Sequence, residues 1–498
     1  MRDRVSLIVA AFAAALHLAV ANRYDVFRDE LYFIVCGRHP ALGYADQPPL
    51  VPLIAAGLYG LGAQTWLLRL PSVLAAAGLA ALVVAFVRLL GGRDGAAWIG
   101  AIAVTTAPIL MGLTATFNTT SLEPLGWTAV AYLLARGALR DDRRALIWAG
   151  VIAGFTMEAK YALPLWLVAL AVGIALFPQR RIFAKRELWI GLAIATAIAL
   201  PSVVWQALHG FPFVELVRNA HLKDAPATLV AFAANQVLVM NPLFAPLWLL
   251  GLIAPFAMRD LRAARFLPVA FGICAVAIVS SHGKDYYLAP AYPVLFAIGA
   301  VAAERLVHSI VLRFAYMALA LAVSAVIAPL ALPILSPEKL IAYEHAIHLT
   351  QNEQERGDAG NAMPSLYADM LGWHDFVREV GTAFDKLSPT ERARTSILVD
   401  NYGEAAALDI YGAPYGLPPA LSGHNQYYIW ALRGQHPVDL LNVTDDPAGL
   451  RHYCATVSIL GTTESRYARS FENGKAVALC LALHPPLQKI WAKQKLFI

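Results

Sequence analysis

Five short stretches carry ionisable side chains where this sequence otherwise has few. "RDELYF" puts Arg28, Asp29 and Glu30 just after the apolar run Val5 to Ala21. "GYADQPPL" carries Asp46 and Gln47, "FNTTSLEPLGW" carries Glu123, and "GFTMEAKYALPL" carries Glu158 and Lys160. "SHGKDYYLAPAYP" carries His282, Lys284 and Tyr286. A carboxylate in such a set can take a proton from an attacking hydroxyl or amine. A compact ammonium with hydroxyls beside it suits a phosphate. Each stretch also has a plainer account. Asp29 and Glu30 can anchor a helix end facing water, and Asp46 can cap the helix that Pro48 and Pro49 are suited to start. Glu123 sits in a first turn, where the helix dipole favours a negative charge. Glu158 and Lys160 can form a local salt bridge, and tyrosines at this depth often form a membrane belt. Ionisable groups beside hydrocarbon are costly, which keeps all five stretches as candidates.

The elements that must position these residues are apolar. The 498-residue chain is 58% hydrophobic and 15% charged, with mean hydropathy +0.56, against about 25% charged residues in soluble domains. Apolar segments near the length that crosses hydrocarbon fall at 5–22, 66–90, 95–114, 121–137, 144–157, 159–177, 187–207, 243–258, 264–281, 287–303 and 312–335. The expected fold is therefore an α-helical polytopic membrane protein with about eleven transmembrane helices. Pro48–Leu61 and Thr228–Met240 are shorter and suit interfacial helices. Val5–Ala21 reads as a retained helix, since no small-residue cleavage site leads into soluble sequence.

Orientation follows from the basic residues. Arg2 and Arg4, Arg88 and Arg93, Arg136 to Arg144, Arg180 to Arg186, Arg259 to Arg265, and Arg305 with Arg313 occupy alternate loops. The positive-inside rule makes that side cytoplasmic. The five candidate stretches then lie on the outer side, and an odd number of spans puts everything after Leu335 outside as well.

Residues 1–335 form the expected transmembrane domain and 336–498 an extracytoplasmic α/β domain. "TSILVDNYGEAAALDIYG" reads as a strand followed by a helix, and "KAVALCLALH" as a strand. Cys454 and Cys480 share this outward tail, where oxidation is allowed; they are a candidate disulfide or two buried thiols. No Cys/His zinc spacing and no dinucleotide fingerprint occur. A net charge of +5 gives no case for nucleic acid, because in a membrane protein its placement outweighs its sum.

In order and shared side, "RDELYF", "YADQPPL", "NTTSLEPLGW", "KYALPL" and "GKDYYLAPAYP" resemble the GT-C class of bacterial membrane glycosyltransferases. The protein O-mannosyltransferase-like and lipid A aminoarabinose transferase-like branches are the most similar. The tail stretches "LYADMLGWHDF", "LSGHNQYYIW" and "FENGKAVALC" are similar to the outer domain of bacterial members, so the resemblance spans nearly the whole chain. It implies an enzyme that moves a sugar from a polyprenyl-phosphate donor, held in membrane lipid, to an extracytoplasmic lipid, glycan or protein acceptor. It also implies Asp29 as the base or acceptor-orienting carboxylate, with Glu30 beside it and Glu123 as a second acid. Lys284 would be the phosphate cation, supported by Arg28, Gln47, His282 and Tyr286. Many relatives carry His or Lys where this chain has Gln47, which shifts phosphate neutralisation toward Lys284 or Arg28. Metal use varies in the family, and the sequence commits to no metal and no other cofactor. A single displacement would invert the anomeric centre.

The alternative is a transporter or lipid flippase without transferase activity. Transporters place ionisable groups near the bilayer midplane on broken helices, whereas here they gather at outer helix ends. An inactive protein that keeps the fold is a third reading. Neither the sugar nor the acceptor is legible in the residues.

Overall fold

The computed structural model describes residues 3–223, 228–348 and 360–498. The chain divides into two compact units. One comprises Met1–Arg23, Ala63–Val203 and Pro226–Ile334; the other comprises Tyr24–Gly62, Val204–Ala225 and Leu335–Ile498. The second unit thus takes in two segments that precede residue 335, including the first candidate stretch.

The first unit is helical. All eleven apolar segments contain helices. Among the described residues, four helices can cross a membrane by length and composition: Thr65–Leu89, Arg186–Leu208, Asp285–Leu306 and Ile310–Ala331. Two bent pairs raise the number to six, Leu163–Ala175 with Pro178–Ala184 and Leu229–Val239 with Pro242–Ala257. Several apolar segments are divided for a local reason. Residues 95–114 break at Ala107, whose extended backbone precedes Pro108, because proline disfavours helical geometry in the residue before it. In Ile310–Ala331 only 17% of the apolar window is buried, against 83% in Asp285–Leu306. Val311, Leu312 and Phe314 are all exposed, a surface suited to lipid and not to water. Close helix approach uses glycine: a Cβ on Gly150 would lie 1.9 Å from the Gly191 carbonyl oxygen.

The second unit holds a five-stranded sheet. In chain order its strands are β1 (Thr395–Val399), β2 (Leu421–Ser422), β3 (Asp439–Thr444), β4 (Cys454–Thr462) and β5 (Ala476–Leu483). Their spatial order is β2-β1-β3-β5-β4. β1 is parallel to β2 and β3, while β5 is antiparallel to β3 and β4. β1 is buried throughout, its polar Thr395 and Ser396 included, and ends in the apolar run of Ile397, Leu398 and Val399. The helix Tyr402–Tyr411 follows β1 and leads to β2. Cys454 and Cys480 form a disulfide between β4 and β5, while Cys36 and Cys274 are free and buried.

Candidate active site

Within the first unit, three candidate stretches meet at helix ends. The Asn118 side chain accepts from the Thr120 and Ser121 N–H groups at 2.8 and 3.1 Å, shaping the turn into helix Glu123–Arg140. Helix Arg143–Ala159 stops at Lys160, which adopts extended backbone. The Lys160 ammonium donates to Glu123 Oε2 at 2.8 Å and Thr120 Oγ1 at 3.1 Å. It also lies 5.3 Å from the centre of the Tyr287 ring. The Tyr287 N–H donates to the Lys284 carbonyl at 3.1 Å, and the Tyr286 and Tyr287 rings meet edge to face. Glu123, Lys160 and the turn bearing Lys284 and Tyr286 therefore share one locality.

Other candidates take different partners. Glu158 is buried and accepts from the Ser202 hydroxyl at 2.6 Å, so the local Glu158–Lys160 bridge allowed by the sequence is replaced by Lys160–Glu123. His282 is exposed, with φ at +55°. Asp285, not singled out from the sequence, is buried and accepts from Asn235 Nδ2 at 2.7 Å.

Within the second unit, the helix Arg28–Arg38 presents its first turn to the tail. Glu30 is fully buried and accepts from the Phe27 N–H at 2.8 Å, capping its own helix. Asp29 is half-buried and accepts from the Tyr402 hydroxyl at 2.8 Å. Arg28 lies between the Tyr402 and Phe471 rings, 5.0 and 5.5 Å from their centres, and pairs with Asp369 at 3.4 Å. Gly403 permits this approach, since a Cβ there would lie 2.6 Å from Arg28 Cγ. Asp369 also accepts from Arg469 at 3.0 Å. Burial pushes the neighbouring Glu472 carboxyl up to about 8, against the pull of Arg28. Arg28 is thus engaged inside the tail unit by Asp369 and by two aromatic rings.

Asp46 accepts from the Tyr32 hydroxyl at 2.8 Å and from Asn425 Nδ2 at 3.5 Å, so it is held by side chains and does not simply cap a helix. The Tyr32 hydroxyl in turn accepts from the Gln426 N–H at 3.1 Å, and Gln426 Oε1 accepts from the Ala45 N–H at 2.9 Å. Gln47 is buried, and among the described residues neither end of its amide has a hydrogen-bond partner. Such an amide is expensive to bury and is suited to a polar ligand. Also among the described residues, no group of three or more His, Cys, Asp or Glu side chains could hold a metal ion.

Sequence reasoning did not single out Tyr402, Asp369, Arg469 or Glu472. "LYADMLGWHDF" and "FENGKAVALC" contain two of them, Asp369 and Glu472, but no spacing marks any of the four as a partner of the first helix.

Comparisons with known proteins fit this architecture. Residues 46–205 match the dolichyl-phosphate-mannose-protein mannosyltransferase family. The matched stretch includes Asp46, Gln47, Glu123, Glu158 and Lys160. A solved structure of ArnT from Cupriavidus metallidurans bound to undecaprenyl phosphate superposes with a TM-score of 0.57. The match covers 95% of this chain and 97% of that one at 15% identity. The fold is that of the GT-C membrane glycosyltransferases. The apo form of ArnT agrees, with a TM-score of 0.53 at 14% identity over 96% of this chain and 98% of that one. The lipid A galacturonosyltransferase RgtD of Rhizobium johnstonii is 29% identical over 236 residues. Those residues are 45% of this chain and 49% of RgtD, so the match spans about half of each. GT-C likeness therefore reaches along the whole chain in fold, and along part of it in sequence.

Proposed function

We propose that the protein is a membrane glycosyltransferase that moves a sugar from a polyprenyl-phosphate donor to an acceptor on the outer face of a bacterial cytoplasmic membrane. About eleven spans, with the tail outside, follow from the apolar segments and the basic loops. Asp29 takes the proton of the attacking acceptor group, and Tyr402 holds that carboxylate. Lys284 meets the departing lipid phosphate as charge develops on it, with Tyr286 and His282 as further donors. Glu123 and Lys160 form a paired acid and cation on the first unit's helix ends. Glu30 supports the turn that carries Asp29. Gln47 offers its unpartnered amide to the donor or its sugar. One displacement inverts the anomeric carbon.

The observation that carries this reading is the Lys160–Glu123 pair, 2.8 Å apart, beside Thr120 and the Tyr287 ring. A buried carboxylate with a partly exposed ammonium, at the ends of apolar helices, suits a phosphate-bearing substrate held at headgroup depth. Support comes from a relative named as a lipid A galacturonosyltransferase and from a like-folded protein solved with undecaprenyl phosphate. The test is incubation of purified protein with radiolabelled polyprenyl-phosphate sugars and bacterial membranes. Label should pass to an acceptor fraction. If the labelled lipid crosses the bilayer of proteoliposomes unchanged, the transporter reading replaces this one.

A further inference from the structure

At the far end of the helix that begins with Arg28 and Asp29, the second unit encloses a cleft of about 190 Å³. Arg38, His39 and Arg433 supply its polar wall, and Leu417, Pro418 and Pro419 part of its apolar one. Pockets that enclose a whole small-molecule ligand usually measure about 300–1,000 Å³, so this one suits a single group of a larger molecule.

The charges in the cleft do not cancel. Arg433 pairs with Asp409, which also accepts from the Tyr427 hydroxyl and the Ala420 N–H, both at 2.9 Å. That carboxylate is fully engaged. Arg38 is exposed and lies 5.7 Å from the Tyr59 ring centre, and no carboxylate among the described residues pairs with it. One full positive charge is left over. Arg433 Nη2 donates to His39 Nε2 at 3.3 Å. Burial first, and then Arg433 and Arg38, hold the imidazole below its ordinary value. His39 is then a neutral ring whose Nδ1–H remains a donor. Trp430 backs this wall, 5.0 Å from the His39 ring and 5.6 Å from the Arg433 guanidinium. A guanidinium fixed by a carboxylate and an aromatic face, next to a second unneutralised guanidinium, is well made for a phosphate.

We propose that this cleft binds a phosphate group carried on a larger ligand, with Arg38 and Arg433 as its cations, and that the ligand is the acceptor. The second clause rests on the transferase reading above. Arg38 lies nine residues along the helix from Asp29, an axial distance of about 14 Å. The cleft would anchor one end of a phosphorylated headgroup while its attacking group lies toward Asp29.

The test uses the full chain in detergent, titrated calorimetrically with dihexanoyl phosphatidic acid, dihexanoylglycerol and inorganic phosphate. Two variants accompany the native protein. Arg38→Gln removes the unneutralised charge, and Ala413→Phe fills the cleft from an exposed position without touching a charge. Unchanged melting temperatures show that both fold. Phosphatidic acid should bind the native protein and lose roughly tenfold or more in affinity in each variant, while dihexanoylglycerol should not bind. Equal binding by inorganic phosphate would make the ligand free phosphate and overturn the acceptor assignment. Equal affinity of phosphatidic acid for the native protein and both variants would overturn the subsite. Binding is read without turnover, so a chain that binds through Arg38 but transfers no sugar overturns the transferase reading and leaves the subsite standing.

Discussion

Tyr402 donates its phenolic hydrogen to Asp29 Oδ1 at 2.8 Å, across 373 residues of sequence. The ring of the same tyrosine covers the Arg28 guanidinium. One side chain of the tail thus fixes two consecutive residues of the first turn, and it does so from a helix whose own start is capped by Asn401.

If Asp29 is the base, Asp29→Asn should lower the transfer rate by about 10²–10⁴-fold while leaving insertion and folding intact. Tyr402→Phe removes one hydrogen bond to that carboxylate and should cost roughly tenfold to a hundredfold in kcat. The two changes should not add: in a chain already carrying Asp29→Asn, Tyr402→Phe should change little further. Kinetics with labelled donor decide this, and independent, additive losses would separate the two residues.

Lys160→Met should destabilise the first unit, because it leaves the buried Glu123 carboxylate without its cation. Loss of one partner of a fully buried pair costs about 3–5 kcal/mol. The Lys160 side chain is 22% exposed, so roughly 2–3 kcal/mol is expected after screening. Adding Glu123→Gln should restore part of the loss. Thermal unfolding in detergent measures both, and an unchanged melting temperature in Lys160→Met would show that Glu123 is held by other groups.

The pH dependence of the tail unit should carry a signature of Glu472. Its carboxyl is raised from 4.5 to about 8 in the folded chain, first by burial. Between those values the unfolded chain binds fewer protons at this site than the folded one. Stability from this group is therefore complete below about pH 4.5 and lost as pH climbs through about 8. Glu472→Gln should flatten that decline, so its melting temperature relative to the native protein should be more favourable at pH 9 than at pH 5. Parallel curves for the two proteins would refute this assignment.

The helical segments were legible because lipid demands long apolar runs, and β1 and β5 through their shorter apolar stretches, 397–399 and Ala476–Leu483. Partnerships were legible only where they are local. The sequence allowed a local Glu158–Lys160 bridge, but residues two apart on a helix do not face each other, and Lys160 leaves the helix in extended backbone and turns to Glu123 instead. Glu30 resembled Asp29 in sequence, since its capping role falls behind Phe27 and lacks the Ser or Thr that marks a capping box. Arg28 with Asp369, and Asp29 with Tyr402, are separated by more than 340 residues. No periodicity connects positions that far apart, because only the completed fold brings them together.

That separation has a consequence in time. Arg28 leaves the ribosome 341 residues before Asp369 does. At about 5–20 residues per second, the arginine waits roughly 20–70 s for its carboxylate. Throughout that interval segment 24–62 has no tail to pack against, so it must stay in water, in headgroups or on a chaperone. Nascent chains cut short before residue 369 would carry that segment bare, and quality-control proteases would meet it first.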